Sequence, residues 1–152
     1  KISADLDILY ILAKLAEKHI PESRLYNPTK IVDEFRKAVL REIDFTIEAN
    51  NIDRFCRNFK DDHTVHIPRV IHHLSTKKIL TMEKIEGIKI TSIGDLEDKE
   101  YNRKQIAVNM VNAVLKQIFV DGFFHGDPHP GNILIMADNT VAFLDSGMVG
   151  YI

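Results

Sequence analysis

The sequence predicts an α+β protein, and three observations carry that prediction. Two stretches in the first 60 residues place apolar side chains at helical spacing. Short apolar runs near residues 65–85 and 132–144 are separated by turn residues and read as strands. Between them lies a long, mostly apolar helical segment ending at Asp121-Gly122. A hydrophobic fraction of 45% with 28% charged residues over 152 residues suits one globular domain with a core.

The first element is a helix over residues 5–20, DLDILYILAKLAEKHI. Leu6, Leu9, Leu12, Leu15 and Ala16 recur at helical spacing, Ser3 serves as cap and Pro21 as stop, so it reads as a packing helix without chemistry. Asn27-Pro28 opens a second helix, with Asn as cap and Pro in the first turn. Its apolar pattern, Ile31, Val32, Phe35, Ala38, Val39, Ile43, Ile47, Ile52 and Phe55, runs towards Phe59, a length that points to a hidden break. At about 100° per residue, Asp44 and Glu48 share a face while Glu42 lies roughly 120° from Glu48. The three meet at one site only if the helix bends or begins afresh near Glu42. Asn50 and Asn51 suggest no role beyond helix geometry.

Residues 65–73 and 77–85 flank Leu74-Ser75-Thr76-Lys77 and read as an antiparallel pair of strands. Residues 93–98 form a polar connection, and Tyr101 to Val120 is a long helix whose positions Ile106, Val108, Met110, Val111, Val114, Leu115, Ile118 and Phe119 wrap nearly all round, as in the central helix of a helical lobe. NILIM and VAFL are two short strands joined by Ala137-Asp138-Asn139-Thr140, a hairpin.

Composition excludes several classes. A net charge of −2 leaves no basic footprint for nucleic acid. The single cysteine, Cys56, rules out an internal disulfide and a cysteine-based zinc site, and reads as a half-buried helix thiol. His63, His66, His72 and His73 lack cysteine partners and read as structural. The stretch from Ile106 to Phe124 carries Asn109, Asn112, Lys116, Gln117 and Asp121, which makes it an amphipathic core helix and not a membrane span. No signal peptide, repeat or low-complexity tract is visible.

The chemistry concentrates in HGDPHPGNILIMADNTVAFLDSG, residues 125–147. Asp127 precedes Asn132 by five residues, and Asp145 follows thirteen further on. A hairpin of that length returns Asp145 to the level of Asn132, so that two oxygen ligands face one another across its mouth. Magnesium favours octahedral oxygen coordination completed by water and phosphate, and this spacing is that of a phosphoryl-transfer site. In the protein-kinase arrangement the first Asp orients the acceptor hydroxyl, while the Asn and the Asp before Gly bind the metal ions on ATP. On that scheme Asp127 is the catalytic base or acceptor-orienting carboxylate, and Asn132 and Asp145 are the Mg2+ ligands. His125 supports the backbone around Asp145, and Pro128 and Pro130 on either side of His129 stiffen the loop.

The HGDPHPGN loop with LDSG, the segment LREIDFTIEANNIDRF (residues 40–55) and IPRVIHHLSTKKILTMEKIEG (residues 67–87) resemble the UbiB family of atypical protein-kinase-like proteins over nearly the whole chain. The resemblance implies a partial protein-kinase-like fold: an incomplete N-lobe of two helices and an antiparallel strand pair, residues 1–83, then a hinge and the start of a helical C-lobe with its catalytic hairpin, residues 84–152. Lys1 stands without Met and the chain stops soon after LDSG, so an excised middle portion truncated at both ends is expected. Glu48 matches the glutamate of the kinase αC helix, and Glu42 and Asp44 match the family's Glu-x-Asp motif near nucleotide and metal. Met82 takes the gatekeeper position, and the backbone from Glu83 through Lys84 to Ile85 would meet the adenine. Function by resemblance is an ATP-dependent kinase or ATPase supporting ubiquinone or other isoprenoid-quinone lipid metabolism. Its expected partners are nucleotide, quinone-pathway lipids or enzymes and a membrane surface, in bacterial inner membrane, mitochondrion or plastid.

Departures matter as much. Gly126 stands where many kinases carry Arg, and His129 stands where serine kinases carry a phosphate-binding Lys, both pointing away from fast protein phosphorylation. Ser146 occupies the position where UbiB proteins usually have Phe, which removes an apolar anchor beside Asp145. HGDPHPGNIL is also similar to the catalytic loop of aminoglycoside and choline kinases, a small-molecule phosphotransferase alternative that the segment REIDFTIEANNIDRF disfavours. A pseudokinase scaffold is the non-enzymatic alternative. No glycine precedes Gly87, so a glycine-rich phosphate loop is not among these residues, nor is a Lys-x-Gly-Gln motif or the third-strand lysine that such a glutamate pairs with. The expected outcome is that residues 1–152 alone bind Mg-ATP weakly or not at all, and titration calorimetry returning submillimolar affinity would overturn it.

Overall fold

The structure, a computed structural model, describes residues 2–95 and 101–152, in two compact units, residues 1–44 and 45–152. The polar connection expected over residues 93–98 falls partly outside the described residues, and its described part ends a 3-10 helix, Ile90–Asp95.

The first unit is a pair of helices, α1 (Ile2–His19) and α2 (Pro28–Glu42), linked by a 3-10 helix, Pro21–Tyr26. α1 begins before Ser3, which is therefore not its cap, and it stops ahead of Pro21 as expected. It buries Leu6 and Ala13, two turns apart on one face, whereas Leu9, Leu12 and Leu15 remain exposed. Asn27 sits in the left-handed region at φ 46° and its side chain does not cap α2. The cap comes from α1 instead: Glu17 Oε1 accepts from Thr29 N at 3.0 Å and Thr29 Oγ1 at 2.7 Å. A helix N-terminus with unsatisfied N–H groups favours that carboxylate. Arg36 pairs with Asp7 at 2.8 Å.

The break expected in the apolar pattern from Pro28 to Phe59 falls at Glu42, so the segment is two helices. α2 ends at Glu42, Asp44 N donates back to Arg41 O at 3.1 Å, and α3 (Phe45–Asn58) begins afresh.

In the second unit, α3 contributes Ile52 and Phe55, and the turn after it Phe59, to a core shared with Ile106 and Ala113 of α4 (Arg103–Phe119). A four-stranded sheet carries the rest: β1 (Val65–His66), β5 (Val141–Phe143), β4 (Ile133–Ile135) and β2 (Ile88–Lys89), in that spatial order. β1 runs parallel to β5, while β4 is antiparallel to both β5 and β2. All three residues of β5 are buried, as a strand covered on both faces requires. β3 (Phe123–His125) and β6 (Val149–Tyr151) form a separate antiparallel pair. The Phe123 ring lies 4.6 Å from that of Phe55, with the Arg54 guanidinium 4.1 Å above it.

The strand pair expected over residues 65–73 and 77–85 is not a continuous ladder. It is reduced to isolated bridges, Val70 with Met82 and Thr76 with Ile79, because a 3-10 helix at His72–Leu74 diverts the chain, and Val65–His66 pairs with β5 instead. Main-chain bonds hold what pairing there is: Ile71 N to Thr81 O and Glu83 N to Arg69 O, both at 2.8 Å, and Thr76 N to Ile79 O at 2.7 Å with Ile79 N to Thr76 O at 3.3 Å. The Glu83 carboxylate accepts from Arg69 N at 3.2 Å, and its other oxygen lies 3.4 Å from His66 Nε2. Burial pushes its pKa up, but the Arg69 N–H, His66 and the Arg69 guanidinium outweigh that and hold it below the ordinary value. Gly87 lies against β4 so closely that a Cβ would meet Ile135 O at 2.8 Å.

α4 begins at Asn102, whose side chain accepts from Gln105 N at 3.0 Å. Its buried face is Ile106, Asn109, Ala113 and Gln117, while Val108, Val111, Leu115 and Phe119 are exposed, so its apolar residues do not mark the buried face as the sequence suggests. The polar members of that face have partners. Asn109 Nδ2 donates to Asn139 O at 3.1 Å and Asn102 N to Asn139 Oδ1 at 2.7 Å, tying α4 to the β4–β5 turn. Asn139 itself adopts φ 65°, a left-handed turn position that Asn tolerates. At the other end Lys116 Nζ bonds both oxygens of Asp121 and the carbonyl of Asn58, joining α4 to the end of α3.

Two outcomes follow. Phe123→Ala is expected to cost about 3–5 kcal/mol in denaturant unfolding, whereas Phe119→Ala at an exposed site costs less than about 0.5 kcal/mol; equal costs would contradict this core. Because the Glu83 carboxylate is held below its ordinary pKa, its contribution is present above about pH 4.5 and is lost as pH falls through the lower folded value. Glu83→Gln should therefore flatten acid destabilisation below that pH, measured as unfolding midpoint against pH.

Candidate functional site

The β4–β5 hairpin positions the oxygen ligands. Ile133 pairs with Phe143, and one step further Leu144 N donates to Asn132 O at 2.9 Å. Asn132 and Asp145 therefore leave the sheet side by side, and Asn132 Nδ2 donates to Asp145 Oδ2 at 3.0 Å. The other carboxylate oxygen accepts from Gly147 N at 2.8 Å. Both side chains are half-buried.

Asp127 lies in the exposed loop between β3 and a short 3-10 turn, Pro130–Asn132. That loop is held by its own polar groups. His129 N donates to Asp127 O at 2.7 Å, Asn132 N to His129 O at 2.9 Å, and the His129 ring Nδ1 accepts from Gly131 N at 3.1 Å. His129 is thus part of the turn, although its ring is exposed.

His125 links the two loops. Its Nε2 lies 2.6 Å from Asp145 O and its Nδ1 3.2 Å from Asp127 N. A carbonyl only accepts and an N–H only donates, so the network assigns the ring proton to Nε2. His125 N in turn donates to Oε1 of buried Gln117 at 2.8 Å. Gln117 had suggested no role in the sequence, where it interrupts an apolar helix. Its signal is visible only once the register of α4 is known.

α3 supplies the third side. Glu48 Oε1 accepts from Ser146 N at 3.4 Å, and Asn51 Nδ2 donates to Ser146 O at 2.9 Å. Asn51 is the second residue that sequence reasoning passed over; it sits three positions after Glu48, on the same helical face. Ser146 is 1% exposed, among Phe55, Ile67, Gln117, His125 and Phe143.

The remaining expected residues fall elsewhere. Glu42 is the last residue of α2 and Asp44 follows it, both in the first unit. Met82 packs against the core as a half-buried side chain. The Glu83 N–H donates to Arg69 O at 2.8 Å. Lys84 pairs with Glu86 at 3.0 Å in solvent, and Ile85 is half-buried. Among the described residues no group of three or more His, Cys, Asp or Glu side chains could hold a metal, and His72 instead pairs with Asp53 at 3.0 Å. Burial, with Asp53 and Glu83 nearby, pushes the Cys56 thiol pKa up. No helix of the described residues is long and apolar enough to cross a membrane.

Comparison with known proteins shows the family. The profile of the ABC1 atypical kinase-like domain matches residues 1–152. A protein of Aliivibrio fischeri named "Probable protein kinase UbiB" is 38% identical over 98% of this chain and 28% of its own length. The Arabidopsis thaliana protein "ACTIVITY OF BC1 COMPLEX KINASE 1, chloroplastic" is 45% identical over 81% of this chain and 18% of its own. Among solved structures, the complex of Rv3197 with erythromycin from Mycobacterium tuberculosis superposes with a TM-score of 0.73 at 25% identity, covering 98% of this chain and 37% of that one. The chain thus spans under a third of the length of these two relatives. With mixed helices and small sheets and a profile match from end to end, the chain belongs to the ABC1 atypical kinase-like family.

Proposed function

We propose that this chain carries the catalytic and metal-binding loops of an ATP-dependent phosphotransferase or ATPase of the UbiB type. The observation that supports it most is the joining of Asn132 and Asp145 across the hairpin mouth, with Asp127 on the exposed loop five residues before Asn132. On this reading residues 1–83 belong to an N-lobe and residues 84–152 to a hinge and C-lobe.

The donor set fits magnesium. An amide oxygen and a carboxylate are hard ligands, and two of them are few enough to leave places for water and phosphate. Asn132 and Asp145 would hold the ion, and Mg-ATP when bound supplies the transferable phosphoryl group with its charge partly neutralised. Asp127 orients the acceptor, water or a hydroxyl, and takes its proton. His125 keeps the two loops at a fixed separation through its two nitrogens. Glu48, Met82 and the backbone from Glu83 through Lys84 to Ile85 are assigned to the nucleotide side, and Glu42 and Asp44 are assigned there by the family resemblance alone.

The substrate class is carried by resemblance to the named relatives: ubiquinone or isoprenoid-quinone lipid metabolism, with quinone-pathway lipids or enzymes at a membrane surface as partners. Gly126 and His129, where protein kinases commonly carry Arg and Lys, favour slow turnover over fast protein phosphorylation.

Mg-ATP binding and hydrolysis by the full-length protein decide the matter. Asp145→Asn should abolish metal-dependent binding, and Asp127→Asn should lower turnover by about 100-fold or more with binding retained. If the unsubstituted protein neither binds nor hydrolyses ATP, even with lipid or quinone precursor present, a pseudokinase scaffold replaces this reading.

A further inference from the structure

The segment Asp145–Gly147 has no large side chain to hold it, yet it must present the Asp145 carboxylate reproducibly. Ser146 is buried at 1% exposure, so an unpaired N–H or C=O there would cost about 1–3 kcal/mol. Both groups are engaged by α3: the N–H by Glu48 at 3.4 Å and the C=O by Asn51 at 2.9 Å. The Asn51 amide is itself 8% exposed, so water competes little for this bond. One residue back, Asp145 O is taken by His125 Nε2. One residue forward, Gly147 N closes onto the Asp145 carboxylate.

We infer that Asn51 is a positioning residue: its amide clamps the peptide of Ser146 to α3 and so fixes Asp145 for metal binding, doing by hydrogen bonding what an apolar side chain at position 146 would do by packing. The importance for metal binding rests on the phosphotransfer reading above; the clamp itself does not. The position of α3 is then transmitted to the metal ligand through the main chain of residue 146, in one step.

The test uses the full-length protein with Asn51→Leu, which keeps the volume and removes the donor. Hydrogen–deuterium exchange on metal-free, nucleotide-free protein should show the amides of Ser146 and Gly147 exchanging about tenfold faster, as expected for loss of one buried hydrogen bond, with Ile133–Ile135 unchanged. The magnesium concentration for half-maximal ATP turnover should rise about tenfold, while kcat at saturating magnesium stays within about twofold. Asn51→Ala decides the same question if the Leu variant fails to fold. Wild-type exchange at residues 146–147 in the variants, or a uniform loss of protection across α3 and α4 with an unchanged magnesium requirement, overturns the clamp. Faster exchange confined to residues 145–147, in a protein whose wild type turns over no ATP, upholds the clamp and overturns the phosphotransfer reading.

Discussion

The hydrogen bond from Leu144 N to Asn132 O is the constraint on which the site depends. A strand pair has a side-chain period of two, so a slip of one residue would turn Asp145 to the opposite face from Asn132. With only three residues in each strand, the hairpin has little ladder of its own to resist such a slip. Register is held from outside: β1 lies parallel along β5, β2 lies along β4, and the turn is gripped by Asn102 and Asn109 through Asn139. The buried polar face of α4 is thus a framework for the hairpin, and its far end reaches the site through Gln117 and His125.

This arrangement also explains why the loops tolerate being short and exposed. His125 bonds the main chain of both loops with one planar ring, and neither bond requires a charge. The loop around Asp127 closes on itself through His129. The Asp145 carboxylate adds its own bonds to Asn132 and Gly147, so the loop ends are tied by side chains as well as by main chain.

The hairpin and the meeting of Asn132 with Asp145 were legible because each carries a local signature: apolar runs on both sides of a turn sequence, and a spacing that a short hairpin converts directly into proximity. Other features were hidden by long-range packing. The break between α2 and α3 showed in the excess length of the pattern and in the angular mismatch of Glu42 with Glu48, but Ile43 and Ile47, both exposed, carry the apolar pattern across it. The inward face of α4 is disguised by Asn109 and Gln117, whose partners lie 30 and eight residues away. Asn51 looked like an ordinary helix residue because its partner is 95 residues distant. The strands around residues 65–85 misled for another reason: regular pairing there is too brief for alternation to mean much, and β1 finds its partner in β5, far along the chain. The family resemblance, by contrast, rests on motifs and does not depend on which face is buried.

The capping of α2 by Glu17 has a consequence for how the first unit forms. The second helix cannot satisfy its own first turn, since Asn27 is turned into the left-handed region and its side chain is not used. The acceptor resides on the last turns of α1, twelve residues earlier. Helix nucleation is the costly step, and here it is relieved only once the earlier helix has wound far enough to bring its glutamate round. The two helices should consequently appear together, in sequence order, through contacts close along the chain, which is the kind of topology that folds fast.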